Sequence, residues 1–328
     1  MRRLVVIACL AALMTAALTS TANALVAGIG DQNSTTFSNP NFKKLKVKRT
    51  RLIVPWDAIL HEPGTSRLDQ WMQAVKAARL KPLIAFNPTG GSRCPSKPCS
   101  VPSASAYKKA VQAFHKKYPW VKEFNFWNET NSATQPTGPT KASVLKKTAA
   151  LYLAAKRVCG RKCTVTGPDL LDQGVGDKRR SVRSRNQKRM QKWVSMFLRY
   201  AGRRNYPKVW GIHNYGDTNY FRSTGTAFMV NKVAKKGQIW VTETGGIYAF
   251  KQQSGKTVFK ANATRQSKAT KYAYTVAKKF SRRIKRLYYY QWRKNNGGDF
   301  FDAGIQSFNG QLRPAYTALT KLPKSIWR

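Results

Sequence analysis

The sequence predicts an α/β protein built as a single (β/α)8 barrel, and three observations carry the prediction. Short apolar, β-branched or aromatic segments alternate with longer amphipathic ones along the 328 residues. Their starts recur every 26 to 48 residues, room for a strand, a helix and two loops. Polar and aromatic residues collect just past the end of each short segment, the face on which such a barrel carries its chemistry.

The elements can be justified in order. Met1-Arg2-Arg3, the apolar stretch 4–18 and the small residues Ala22-Asn23-Ala24 read as a secretory signal peptide over residues 1–24. It is too short and wrongly flanked for a spanning helix, and no later run approaches membrane length. The mature domain is therefore expected over 25–328, secreted or held at the cell surface. Eight strands are predicted at 25–29, 51–55, 82–86, 123–127, 164–166, 209–213, 238–242 and 286–290. Helices are predicted between them at 67–78, 104–117, 141–158, 189–201, 228–234 and 262–283. A doubly wound open sheet is the alternative, but "GIGDQNSTTF" (28–37) lacks the later glycine of a phosphate-binding loop. The strand ends nominate Asp31, Asn33, Trp56, Asp57, Asn87, Asn128, Glu129, Asp169, Asp172, His213, Tyr215, Glu243 and Trp292, with Arg51 at the start of the second strand.

The charge is extreme, 60 Lys and Arg against 13 Asp and Glu, formally +47. Such a surface attracts anionic polymers by counterion release, and cell-wall polyanions are an open partner. The densest run, "DKRRSVRSRNQKR" (177–189), comes with no zinc-finger, helix-turn-helix or RNA-binding motif, so it reads as a solvated face rather than a specific nucleic-acid site. Of the five cysteines Cys9 leaves with the leader. Cys94 with Cys99, and Cys159 with Cys163, read as two local disulfides. Their spacings do not fit a four-thiolate zinc site, and His61, His115 and His213 show no ligand spacing. No metal and no cofactor is expected.

Only four glutamates occur: Glu62, Glu123, Glu129 and Glu243. Glu62, in a turn, and Glu123, at a strand start, read as solvated. Glu129 and Glu243 instead close the dense stretches "FNFWNE" and "IWVTE", whose strands face each other across a barrel's mouth. Either alone reads as a lysine's partner. Together they suit glycosidic bond cleavage, in which one carboxyl protonates the leaving oxygen and the other attacks the anomeric carbon or activates water. Aromatic walls would favour a protonated acid and stack on sugar rings.

"WNET" (127–130), "VTETGG" (241–246) and "IHNYGD" (212–217) resemble clan A of the retaining glycoside hydrolases, and the closing "FDAGIQSFNGQLRPAY" (301–316) resembles the tail of its extracellular bacterial members. The resemblance implies a (β/α)8 barrel with Glu129 as acid/base and Glu243 as nucleophile. It further implies that Asn128 binds the sugar 2-hydroxyl, Tyr215 holds the nucleophile, His213 lines the site, Arg51 orients the nucleophile and Trp292 is an aromatic platform. Thr130 stands where many members have proline, which blurs the subfamily. A carbohydrate substrate follows, with a monomer as the default state. Two rivals belong to other classes: a catalytically silent carbohydrate-binding barrel, and a basic protein that binds teichoic acid or extracellular DNA. No serine sits in a G-x-S-x-G elbow, so a lipase- or protease-type nucleophile is the weakest option.

Overall fold

The computed structural model describes residues 25–89, 94, 99–172, 179–252, 254–294 and 300–328, and the expected signal peptide lies outside them. Nine parallel strands form one sheet: β1 (Val26–Gly30), β2 (Arg49–Pro55), β3 (Lys81–Asn87), β4 (Glu123–Asn125), β5 (Thr164–Thr166), β6 (Asp169–Leu171), β7 (Val209–His213), β8 (Gln238–Thr244) and, later in the chain, a strand at Ile284–Tyr290. Two short strands come before that one, β9 (Ala249–Lys251) and β10 (Thr257–Phe259), so Ile284–Tyr290 is β11; β12 is Phe301–Asp302. The order β5-β4-β3-β2-β1-β11-β8-β7-β6 is that of a barrel, with its ends in consecutive chain.

The ends meet because the fifth stave is split. β5 pairs with β4 and β6 with β7, and Gly167-Pro168 lies between them. Proline has no N–H for the ladder, so the stave breaks there and changes partner. Gly167 N–H donates to the Val209 carbonyl at 2.7 Å and the Pro168 carbonyl accepts from Gly211 at 3.3 Å, which closes the gap.

The helices are α1 (Pro40–Lys44), α2 (Gly64–Ala77), α3 (Ala104–Lys117), α4 (Ala142–Cys159), α5 (Arg180–Ala201), α6 (Tyr215–Asn219), α7 (Thr224–Phe228), α8 (Ala263–Lys279) and α9 (Pro314–Thr320). Their apolar stripes cover the sheet with large rings such as Trp71, Phe114, Trp193 and Phe197. Among the described residues no helix is long and apolar enough to cross a membrane. Cys94–Cys99 and Cys159–Cys163 are disulfides, with Cα atoms 5.3 and 5.2 Å apart.

Several boundaries differ from expectation. The fourth strand stops at Asn125, since the backbone beyond it turns to side chains: the Phe126 carbonyl accepts from Tyr107 Oη at 2.5 Å. α5 begins nine residues before the expected start, inside the basic run, because a segment with Val182 as its single apolar residue carries no apolar period to read. The helix expected over 228–234 is α7 followed by a π-helical turn. Glu123 is not solvated. It accepts from Arg49 at 3.1 Å and from Arg286, and only 14% of its side chain is exposed.

Strand alternation builds the barrel interior in layers. At the foot lies the Arg49–Glu123–Arg286 ion cluster. Above it Leu83, Val209, Trp240 and Tyr288 form a separate apolar plug, with the Arg286 guanidinium 3.8 Å from the Trp240 ring centre. Arg51, Asn125, Asp169 and Thr242 make the next layer. Gly211 is needed there: a Cβ at that position would lie 2.2 Å from Asp169 Oδ1. Gly211→Ala is expected to cost about 1–3 kcal/mol through overpacking, read as a lower Tm in thermal unfolding; an unchanged Tm would show that Asp169 is free to move.

Candidate active site

At the carboxyl ends of the strands, Arg51 on β2 organises a buried network. Its side chain is 2% exposed, and Nη1 donates to Glu243 Oε2 at 2.6 Å. Nη2 donates to Asp169 Oδ2 at 2.9 Å and to Asn128 Oδ1 at 2.7 Å, while Nε reaches Asn125 Oδ1 at 3.4 Å. A guanidinium only donates, so the Asn128 atom facing it is the oxygen and its amide nitrogen points elsewhere. The second Glu243 oxygen accepts from Tyr215 Oη at 3.0 Å. Both oxygens of that carboxylate are thus held in direction.

Glu129 follows β4 in a tight turn with φ of 45°, unusual for a residue with a side chain. Its neighbours hold it there: Asn128 N–H donates to the Phe86 carbonyl at 2.7 Å and Thr130 N–H to the Asp169 carbonyl at 2.8 Å. The Glu129 carboxyl meets His213 Nδ1 at 3.1 Å, and His213 Nε2 meets Asp169 Oδ2 at 3.1 Å. Burial alone would push the imidazole pKa down, but Asp169 and Glu243 outweigh it and raise it to about 10. The ring is therefore an imidazolium, its Nδ1–H donating to Glu129 Oε1 and its Nε2–H to Asp169 Oδ2. Asp169 moves the opposite way: burial would raise its pKa, and His213 and Arg51 draw it below the usual carboxylate value. A carboxylate oxygen of Glu129, one of Glu243 and a His213 ring nitrogen lie within 4.8 Å of one another.

His213 sets a pH expectation. In the folded chain it keeps a proton between about 6.5 and 10 that the unfolded chain has lost, so its stabilisation is full below pH 6.5 and vanishes as pH rises through 10. Tm is expected to fall from pH 7 to pH 10, and His213→Gln should be less stable at pH 7 with a flatter slope. Equal slopes in thermal unfolding of the two proteins would refute this.

Arg51, Asn128, Glu129, His213, Tyr215 and Glu243 are brought together; Trp292 is not. Its ring is fully buried outside the barrel, edge-on to Phe42 at 5.3 Å and to Tyr316 at 6.0 Å, because the inward alternation of β11 ends with Tyr290. The aromatic surface beside Tyr215 comes instead from a three-stranded antiparallel sheet, β10-β9-β12, and from Tyr290. Phe301 on β12 lies 5.2 Å from the Tyr215 ring, 5.5 Å from Phe250 and 6.3 Å from Tyr290. Asn125, Thr242 and this wall are absent from the sequence reading; the inward parity of Asn125 with Glu123 is the one signal that could have exposed the first. Of the other strand-end residues, Asp31 accepts from Arg293 N–H at 2.7 Å and Asp57 from Thr89 at 2.7 Å, both structural roles. Asp172 accepts from Gly216 N–H at 2.6 Å, directly behind Tyr215. Its pKa is raised to about 7 by burial and by nearby Asp217.

No family model matches the chain, and no curated protein is similar to it in sequence. Solved structures share its fold. A monomeric β-xylosidase from Caulobacter crescentus superposes with a TM-score of 0.56 at 13% identity, over 90% of this chain and 67% of the other. A GH39 β-xylosidase structure from the same organism gives 0.53 at 14%, over 90% and 70%. A family 1 β-glucosidase from Thermotoga maritima gives 0.57 at 10%, over 92% and 98%. These similarities establish that the chain shares the (β/α)8-barrel fold of these structures.

Proposed function

We propose that the chain is a retaining glycoside hydrolase, secreted or held at the cell surface, that cleaves O-glycosidic bonds in an oligo- or polysaccharide by double displacement. The observation that carries the reading is the close approach of Glu129 and Glu243, one oxygen of each lying within 4.8 Å of one oxygen of the other at the mouth of the barrel. Inverting enzymes hold their carboxyls roughly 6.5–9.5 Å apart to admit water, and retaining ones roughly 5–5.5 Å. The fold shared with β-xylosidases and β-glucosidases supports the same class, and the two disulfides fit an exported protein.

In this mechanism Glu243 attacks the anomeric carbon, its oxygens already aimed by Arg51 and Tyr215. Glu129 protonates the departing oxygen. His213 occupies its Oε1, which leaves Oε2 for the proton in flight. Asn128, anchored through its oxygen, can turn its amide N–H to the sugar 2-hydroxyl, and Phe301 and Tyr290 provide faces for stacking. A covalent glycosyl-enzyme forms. Glu129, now a base, takes a proton from water, the hydroxide displaces Glu243, and the sugar leaves with its configuration retained.

The test is a panel of aryl glycosides and polysaccharides, with the anomer of the first-formed product read by NMR. A retained anomer supports the mechanism. First-formed inverted product would exclude it, and hydrolysis of nothing would favour the catalytically silent carbohydrate-binding barrel.

A further inference from the structure

Outside the site, the basic surface forms more than one groove, and one of them is set apart by the elements that build it. That groove has a volume of about 520 Å3 and is lined by Pro139, Thr140, Lys141, Lys188, Arg189 and Lys192. Two segments tied to the candidate site build it. Residues 139–141 end the loop that begins at Glu129, and Lys188–Lys192 lie on α5, the helix after the stave that bears Asp169. A smaller cleft shares Thr140 and Arg189 with the groove and reaches Asn131, two residues past Glu129.

Three features mark the groove as a receptor for negative charge. All four cations are exposed, and among the described residues no carboxylate forms an ion pair with any of them. The α5 segment 180–189 buries no side chain and carries Arg180, Arg183, Arg185, Lys188 and Arg189 without an acid. Like charges one turn apart, and cations near a helix N-terminus, both weaken a helix, and a bound polyanion relieves both. Acid is withheld from the rest of the surface as well: Glu62 is the one exposed carboxylate among the described residues.

We infer that the glycan is polyanionic, a polysaccharide bearing sugar carboxylates, and that it leaves the cleft along this groove with Lys141, Lys188, Arg189 and Lys192 as its contacts. Lys188 and Lys192 lie about 6 Å apart along the helix axis, so successive charged sugars can meet successive cations. A nucleic acid fits less well, because the groove presents no aromatic face for base stacking; Trp193 in the adjoining cleft is buried, with its indole N–H committed to the Thr137 carbonyl at 3.0 Å. This inference identifies the substrate class and rests on the glycosidase reading.

The experiment compares a triple variant, Lys188→Gln with Arg189→Gln and Lys192→Gln, against a charge-matched control. The control is Lys271→Gln with Lys278→Gln and Lys321→Gln, in a second basic groove of about 570 Å3. Binding of polygalacturonate, of its neutral carboxyl-reduced derivative and of single-stranded DNA is measured over a salt series, with circular dichroism confirming the fold. The groove variant is expected to bind polygalacturonate about tenfold more weakly, with a log–log salt slope smaller by about 2, and the control to change neither. Equal losses in both variants, equally tight binding of the neutral derivative, or tighter groove-dependent binding of DNA would each overturn the inference. Binding needs no turnover: groove-dependent polygalacturonate binding without hydrolysis of any glycan would sink the glycosidase reading alone.

Discussion

Replacing Glu243 with alanine is expected to lower kcat on any glycoside the wild type cleaves by at least about 10^4-fold, the scale of loss when a nucleophile is removed from a concerted site. The substitution leaves the Arg51–Asp169 and His213–Asp169 contacts in place, so the fold should survive. A small anion such as formate fills the vacated space and attacks from the same face, so it should restore turnover and yield a product of inverted configuration. Glu129→Ala should behave differently. A leaving group of low pKa needs no proton, so the variant should slow alkyl glycosides by about 10^2–10^4-fold and activated aryl glycosides much less in the first step. Steady-state kinetics on the two classes separates the roles. Equal losses on both would remove Glu129 as the acid.

Arg51→Met is the second large effect, and it falls on stability as well as rate. The guanidinium is buried against two carboxylates, Glu243 and Asp169. Without it those charges keep His213 as their remaining cation in the network. Removing one partner of a buried ionic cluster costs about 3–5 kcal/mol, expected to lower Tm by roughly 10 °C. Arg51→Lys restores a charge but not the fork that bridges Glu243, Asp169 and Asn128 at once, so it should fall between the two. Thermal unfolding decides the matter: a methionine variant as stable as wild type would show that the network orients groups without holding the fold.

The barrel was legible because its staves are dense and its helices periodic, and both signals survive in a single sequence. The split fifth stave was less so. Gly167-Pro168 reads as a strand end, and only the pairing of β6 with β7 shows the chain resuming. Contacts among distant residues were equally hidden: the Asp169 partners Arg51 and His213 stand 118 and 44 residues away. Glu123 misled for the same reason, its cations lying 74 and 163 residues off. Trp292 misled because strand parity cannot be followed past the end of β11. The wall of β9, β10 and β12 is made of strands two or three residues long, too short for any alternation to register.

The apolar plug of Leu83, Val209, Trp240 and Tyr288 has a consequence for redesign. It insulates the ionic foot of the barrel from the glutamates above, with no shared hydrogen-bond partner between the two layers among the described residues. Substitutions in the two layers should therefore add rather than couple. Exchanging Arg49, Glu123 and Arg286 together for well-packed apolar side chains is a route to a tougher scaffold, and the layer of Arg51, Asn125, Asp169 and Thr242 could be rebuilt in parallel without either effort undoing the other.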